Sequence, residues 1–148
     1  MKDIATRLFE WRQTRLHLKE DFSEKNLQSA IDFWKYLDYS RHGFDYDRPS
    51  AWPDVWEYIS EEFYTNSGNG MGCFYSVHHA RPDLNPEVWL IHDLSLGDMY
   101  LVCYVDGYVL NRLHGKVDKF ERVQNDLDIL EKYKADDIVN AVKERNSN

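Results

Sequence analysis

The side chains best suited to chemistry in this 148-residue chain are two cysteines and several histidines. Cys73 comes shortly before the adjacent pair His78 and His79, and His92 follows later in the chain. An imidazole beside a thiol can remove its proton and leave the reactive thiolate. One hypothesis is therefore a cysteine hydrolase, with Cys73, His79 and His92 as candidate catalytic residues.

The patterns around the thiols favour a structural role instead. Cys73 lies in CFYSVHHA and Cys103 in MYLVCYV, and the alternation of side chains in both segments predicts strands. Neither position offers the helix N-terminus that often lowers the pKa of a nucleophilic thiol. We expect two buried, unpaired cysteines, as is common in a reducing compartment.

The same alternation argues against a metal centre. Neighbouring side chains in a strand point to opposite faces, so His78 and His79 are not expected to share a ligand. His79 and His92 would meet only if their strands paired in a suitable register. No metal site and no cofactor is predicted.

Helices are predicted on the N-terminal side of these residues. Apolar residues recur at helical spacing from about Asp3 to Leu18, and again after the N-cap residue Ser23 to about Tyr39. A third helix is predicted to begin at Pro53 and to bury one continuous face. That face comprises Trp52, Trp56, Ile59 and Phe63. The glycine-rich TNSGNGMG is predicted to end this helix in a turn.

Strands and further helices are predicted to follow. Asp106 and Gly107 separate two apolar runs, which predicts a two-residue hairpin of type I′. A helix over about Phe120–Tyr133 is expected behind a capping box, and a last short helix follows it. The expected fold class is α+β: N-terminal helices, a four-stranded antiparallel meander and C-terminal helices. Residues 1–148 are expected to form a single domain, with residues 143–148 frayed.

Composition limits the classes of partner. The net charge of −8 argues against nucleic acid and against anionic membranes, because phosphate contacts need clustered Lys and Arg. No apolar run approaches the roughly 20 residues that span a bilayer, and the N-terminus lacks a secretory pattern. These features predict a cytoplasmic protein without a membrane partner.

The loop between the second and third helices is the candidate binding surface. It is longer than the roughly 2–8 residues that usually connect two helices, and it is rich in aromatic and arginine side chains, which often anchor interfaces. The candidate binding residues are Arg41, His42, Phe44, Tyr46 and Arg48. The same rings could instead fold back over the core.

Three segments, WPDVW (Trp52–Trp56), GMGCFYSV (Gly70–Val77) and VDGYVLN (Val105–Asn111), carry a resemblance. In this order they resemble small, poorly characterised proteins of tailed bacteriophages. The phage pattern is a Trp-Pro-acid-Pro-Trp helix, a Leu-Gly-Met-x-Tyr-Thr strand and a hairpin that ends Asp-Gly-x-Tyr-x-Leu-Asn. Val55 stands here in place of the second proline.

That phage pattern is in turn distantly similar to a transglutaminase or papain-like core, in which a helix cysteine precedes a histidine and an aspartate on successive strands. The cysteine position falls near Thr65 here, and the histidine position near Asp98 or Met99. The resemblance therefore implies a phage protein without nucleophile or base. We expect a non-enzymatic protein of the host cytoplasm or the virion that binds a protein partner. Self-association remains open, and the hydrolase is the alternative.

Overall fold

A computed structural model describes residues 3–35, 49, 52, 54, 56, 59, 66–112 and 114–147. It has the predicted α+β architecture, but the antiparallel sheet has five strands rather than four. The helices are α1 (Ile4–Glu20), α2 (Glu24–Lys35), α3 (Asn66–Ala80), α4 (Phe120–Val123) and α5 (Ala135–Ser147). The strands are β1 (Glu87–Asp93), β2 (Asp98–Val105), β3 (Tyr108–Leu110), β4 (Asp118–Lys119) and β5 (Leu127–Lys134).

The sheet has the order β4-β3-β2-β1-β5, with every neighbouring pair antiparallel. Strands β1 to β4 form a meander, of which β1, β2 and β3 correspond to three of the four predicted strands, and β5 adds an edge beside β1. One face of the sheet carries α3, on which α1 and α2 also pack. A smaller apolar cluster covers the opposite face, where Trp89, Ile91 and Val102 meet Val123 and Leu127. Within the described ranges, no helix is both long and apolar enough to cross a membrane.

The first two helices form largely as predicted. Asp3 caps α1, because its Oδ1 accepts a hydrogen bond from the backbone N–H of Thr6 at 2.7 Å. Ser23 caps α2 in the same way by accepting from the N–H of Asn26 at 3.3 Å. Trp11 and Leu18 place the buried side of α1 against the core.

The predicted turn TNSGNGMG and strand CFYSVHHA are wrong, because residues 66–80 form the single helix α3. Every residue from Met71 to Val77 is buried, since α3 lies between the sheet and the other helices, and an all-round buried helix shows no one-sided apolar stripe. The glycines serve packing rather than a turn. A Cβ at Gly70 would collide with the carbonyl oxygen of Leu101, and one at Gly72 with the indole of Trp34.

A single buried hydroxyl ties α1, α2 and α3 together. Ser76 Oγ on α3 accepts hydrogen bonds from the indole N–H of Trp11 at 2.9 Å and of Trp34 at 3.0 Å. It donates to the carbonyl of Gly72 at 2.9 Å. Because both indole donors are satisfied inside the core, two tryptophans are buried there without the cost of an unpaired N–H.

The predicted hairpin is confirmed. Asp106 and Gly107 connect β2 to β3 with φ values of +48° and +84°, as a type I′ turn requires. Beyond it, β3 ends at Leu110, earlier than the apolar run suggests.

The helix predicted over Phe120–Tyr133 is wrong. Only Phe120–Val123 is α-helical, a 3-10 turn follows, and Leu127–Lys134 forms the fifth strand against β1. Phe120, Val123 and Leu127 do pack together, so their helical spacing reflects a shared apolar cluster rather than one helix. Strand pairing with β1 overrides the local preference.

The apolar face predicted for the third helix is only partly correct. Trp52 and Ile59 are buried, whereas Trp56, expected in the core, is 54% exposed. Trp52 does not have helical backbone, so its spacing of four residues from Trp56 does not place the two on one helical face. Phe63 lies outside the described residues.

Candidate functional site

A buried ionic network lies at the end of β1, on the sheet face opposite α3. Asp93 is fully buried and accepts hydrogen bonds from Tyr100 Oη at 2.7 Å and from Ser95 Oγ at 2.6 Å. Arg112 Nη2 lies 3.3 Å from Asp93 Oδ2, and its Nη1 lies 3.6 Å from Asp118 Oδ2. The two carboxylates thus bracket one guanidinium, whose positive charge is compensated inside the fold.

The electrostatics of the network favour the ionised forms. Burial opposes the charge on Asp93, but hydrogen bonds from Ser95 and Tyr100 and the nearby Arg112 together lower its pKa. Burial likewise opposes the charge on Arg112, but Asp93 and Asp118 raise its pKa. The pair therefore stays ionised at neutral pH and cannot easily exchange a proton, which makes it a structural clamp rather than an acid–base pair.

This clamp fixes the turn between β1 and β2. The carbonyl of Asp93 accepts from the N–H of Gly97 at 2.7 Å, and its side chain accepts from the N–H of Ser95 at 3.1 Å. Leu94 is held from the other side, because its N–H donates to the carbonyl of Asp126 at 2.8 Å. The turn is thus hydrogen-bonded at both ends and also to Asp126, which precedes β5 in the same chain.

The fixed turn presents apolar side chains to solvent. Leu94 is 51% exposed, Leu96 is 53% exposed and Met99, at the start of β2, is 45% exposed. We call these three residues the apolar turn. Single exposed leucines are ordinary on protein surfaces, but three large apolar side chains within six residues resemble the contact regions of interacting proteins.

The structure does not bring the candidate catalytic residues together. Cys73 is fully buried on α3, and burial, aided by the charge of Asp32, raises the pKa of its thiol. His79 is exposed at the end of the same helix, and His92 lies on β1. Within the described part of the chain, no hydrogen bond joins the Cys73 thiol to either imidazole. A protonated thiol in the core is a poor nucleophile.

The other thiol and the adjacent histidines also have structural surroundings. Cys103 is buried and unpaired like Cys73, as expected from the sequence, although Cys73 lies on a helix rather than a strand. His78 stacks on Phe74 at 5.4 Å, and both it and His79 belong to α3. Among the residues described, no group of three or more His, Cys, Asp or Glu side chains could hold a metal ion.

The candidate binding residues come from the predicted loop between the second and third helices. Arg41, His42, Phe44, Tyr46 and Arg48 all lie outside the described residues, so their role stays a prediction. The same is true of Thr65, the position that corresponds to the cysteine of the resembling family. Asp98 and Met99, which correspond to its histidine, are exposed at the start of β2.

The segments Gly70–Val77 and Val105–Asn111 meet at one backbone carbonyl. Leu101 O lies against Gly70 of α3, and it accepts a hydrogen bond from Asn111 Nδ2 at 3.4 Å. Asn111 itself has a φ of +79°, which asparagine tolerates better than most residues. Gly70 and Asn111 therefore both contribute to the packing of α3 on β2.

Sequence reasoning missed the Asp93 network, although one signal for it was present. The strand alternation places Asp93 on the same face as Trp89 and Ile91, where a lone carboxylate would need a buried partner. Nothing in the sequence identifies Arg112 as that partner, because its position follows from the path of the chain after β3. Comparisons with protein-family models and with curated proteins return no match.

Proposed function

We propose that the protein is a non-enzymatic bacteriophage protein that acts by binding another protein, either of the host cell or of the virion. The apolar turn is the observation that carries this proposal. Its three exposed side chains stand on a backbone that the Asp93–Arg112 clamp holds in place. A rigid apolar surface binds with little loss of conformational entropy, which favours its use as an interface.

The phage assignment rests on the resemblance of the three ordered sequence motifs. Gly70 and Asn111 of those motifs both lie at the carbonyl of Leu101, where α3 packs on β2. The loop residues Arg41, His42, Phe44, Tyr46 and Arg48 belong to the same proposal as a second contact region. The proposed site of action is the host cytoplasm or the virion.

The test is capture of a partner from phage-infected cells with the tagged protein, followed by mass spectrometry and a binding measurement with the purified partner. Leu96→Asp should weaken that binding by about 2 kcal/mol or more, the scale of an interface hot spot. Its melting temperature should stay close to that of the wild type, because Leu96 is exposed.

Leu130→Asp provides the matched control. Leu130 is also a leucine, 47% exposed, but it lies on the edge strand β5 rather than in the apolar turn. Its binding should equal that of the wild type. Equal weakening by both variants, or undiminished binding by Leu96→Asp, would show that the apolar turn is not the contact surface.

A further inference from the structure

A second surface surrounds Trp11, on the helical side of the molecule. The ring of Trp11 is fully buried, and the guanidinium carbon of Arg15 lies 4.0 Å from its centroid. Trp56 and His79 approach the ring edge-on, each with a centroid distance of 5.6 Å. We call Arg12, Arg15, Trp56 and His79 the Arg15 surface. Trp11 is its floor, held from below by Ser76.

The charge of Arg15 is not compensated within the described part of the chain. No carboxylate pairs with it there, and its Nε is buried without a hydrogen-bond partner. Burial lowers the pKa of Arg15, and the neighbouring Arg12 lowers it further. A partly buried guanidinium with a like charge beside it is unfavourable unless an anion is supplied.

The imidazole of His79 is also affected by the positive charge of Arg15. Burial lowers the pKa of His79, and so do the nearby His78 and Arg15. Among the described residues, this surface thus gathers two arginines and a histidine, although the whole chain carries 26 acidic against 18 basic residues. Clustered cations attract an anionic group locally even when the net charge of a protein is negative.

The surface is accessible and extended. Trp56 is 54% exposed, and Arg12 and Lys19 are exposed on α1. Arg12, Arg15 and Lys19 are spaced by three and four residues, which places them on one flank of the helix. An exposed indole next to a row of cations offers both a hydrophobic contact and two forked donors for carboxylates.

We infer that the Arg15 surface binds an acidic segment of a protein partner, with its carboxylates on Arg12 and Arg15 and its carbon chain against Trp56. This inference rests on the proposed function, because it assigns the anion to a protein. The acidic composition of the rest of the chain favours that assignment. A long polyanion such as nucleic acid would meet repulsion beyond the few cations of this flank, whereas a short acidic segment would not.

The experiment measures binding of a fluorescently labelled hexaglutamate peptide to the full chain by fluorescence anisotropy at low ionic strength. Wild type should bind, and Arg12→Gln/Arg15→Gln should bind at least tenfold more weakly. Lys116→Gln/Arg122→Gln is the matched control, since it removes the same charge from two exposed residues outside this surface. It should bind within about twofold of wild type, because long-range steering alone changes little at this peptide length.

Several results would overturn the inference. These are no binding by the wild type, equal weakening in both double variants, and preferential binding of a six-nucleotide single-stranded oligonucleotide lost in Arg12→Gln/Arg15→Gln. Self-association of the wild type that Arg12→Gln/Arg15→Gln abolishes would also overturn it, because the surface would then bind a second copy of this chain rather than another protein. Arg12→Gln alone, at an exposed position, gives the same comparison should the double variant unfold. Absence of a captured partner alongside peptide binding would count against the proposed function rather than this surface.

Discussion

Arg112 is buried and Arg15 is partly buried, yet their surroundings are opposite. Arg112 lies between Asp93 and Asp118, whose charges raise its pKa in spite of burial. Arg15 lies on the ring of Trp11 beside Arg12, and burial and that neighbour both lower its pKa. The Arg112 guanidinium thus has two carboxylates beside it. Among the described residues, no carboxylate lies beside the Arg15 guanidinium.

The difference separates a structural charge from one available for binding. A buried cation with two carboxylates is costly to disrupt but has little left to offer a ligand. A partly buried cation without an anion destabilises the free protein slightly, and a ligand that supplies the anion regains that energy. The same residue type therefore stabilises a turn in one place and marks a surface in the other.

The largest expected effect comes from breaking the compensated site. Asp93→Asn should lower the free energy of unfolding by about 3 kcal/mol, since it leaves Arg112 buried with only the more distant Asp118. Urea denaturation followed by circular dichroism measures the change. Asp128→Asn, which alters an exposed aspartate on β5, is the control and should change stability by less than about 0.5 kcal/mol. A loss below about 1 kcal/mol for Asp93→Asn would mean that the pair does not clamp the fold.

A smaller effect should appear in acid. The pKa of Asp93 lies below its ordinary value of 3.8 in the folded chain, so its contribution is complete above that pH and disappears as the pH falls through the folded pKa. The difference in unfolding free energy between wild type and Asp93→Asn should therefore narrow below pH 3.8. Urea titrations at pH values from about 5 to 2 measure it. A difference that stays constant or widens would contradict an ionised Asp93.

The sequence predicts the parts of the fold that depend on local rules. The cap at Ser23 and the Asp106–Gly107 hairpin form as expected, because each needs only neighbouring residues. The helix α3 and the strand β5 were misassigned, because their conformations depend on distant contacts. Glycine is needed at positions 70 and 72 because Leu101 and Trp34 leave no room for a Cβ there. The local sequence does not reveal these contacts.

The Asp93 network and the Arg15 surface were less predictable than the fold. Asp93 is recognisable as a polar residue on a buried strand face, but its pairing with Arg112 depends on a chain path of 19 residues. The Arg15 surface joins α1, the end of α3 and Trp56, which are far apart in sequence. Trp56 was expected in the core, and only the structure shows its outward exposure.

The central claim, that Arg112 is compensated within the fold and Arg15 awaits a partner's anion, is tested most directly by measuring unfolding free energies with and without hexaglutamate. Without peptide, Arg112→Gln should lose at least about 2 kcal/mol, and Arg12→Gln/Arg15→Gln should change by no more than about 1 kcal/mol. Peptide at ten times its dissociation constant should stabilise wild type and Arg112→Gln by about 1.4 kcal/mol each, and should leave Arg12→Gln/Arg15→Gln almost unchanged. Two results would contradict this claim: equal losses of unfolding free energy in Arg112→Gln and Arg12→Gln/Arg15→Gln without peptide, or equal stabilisation of these two variants by the peptide.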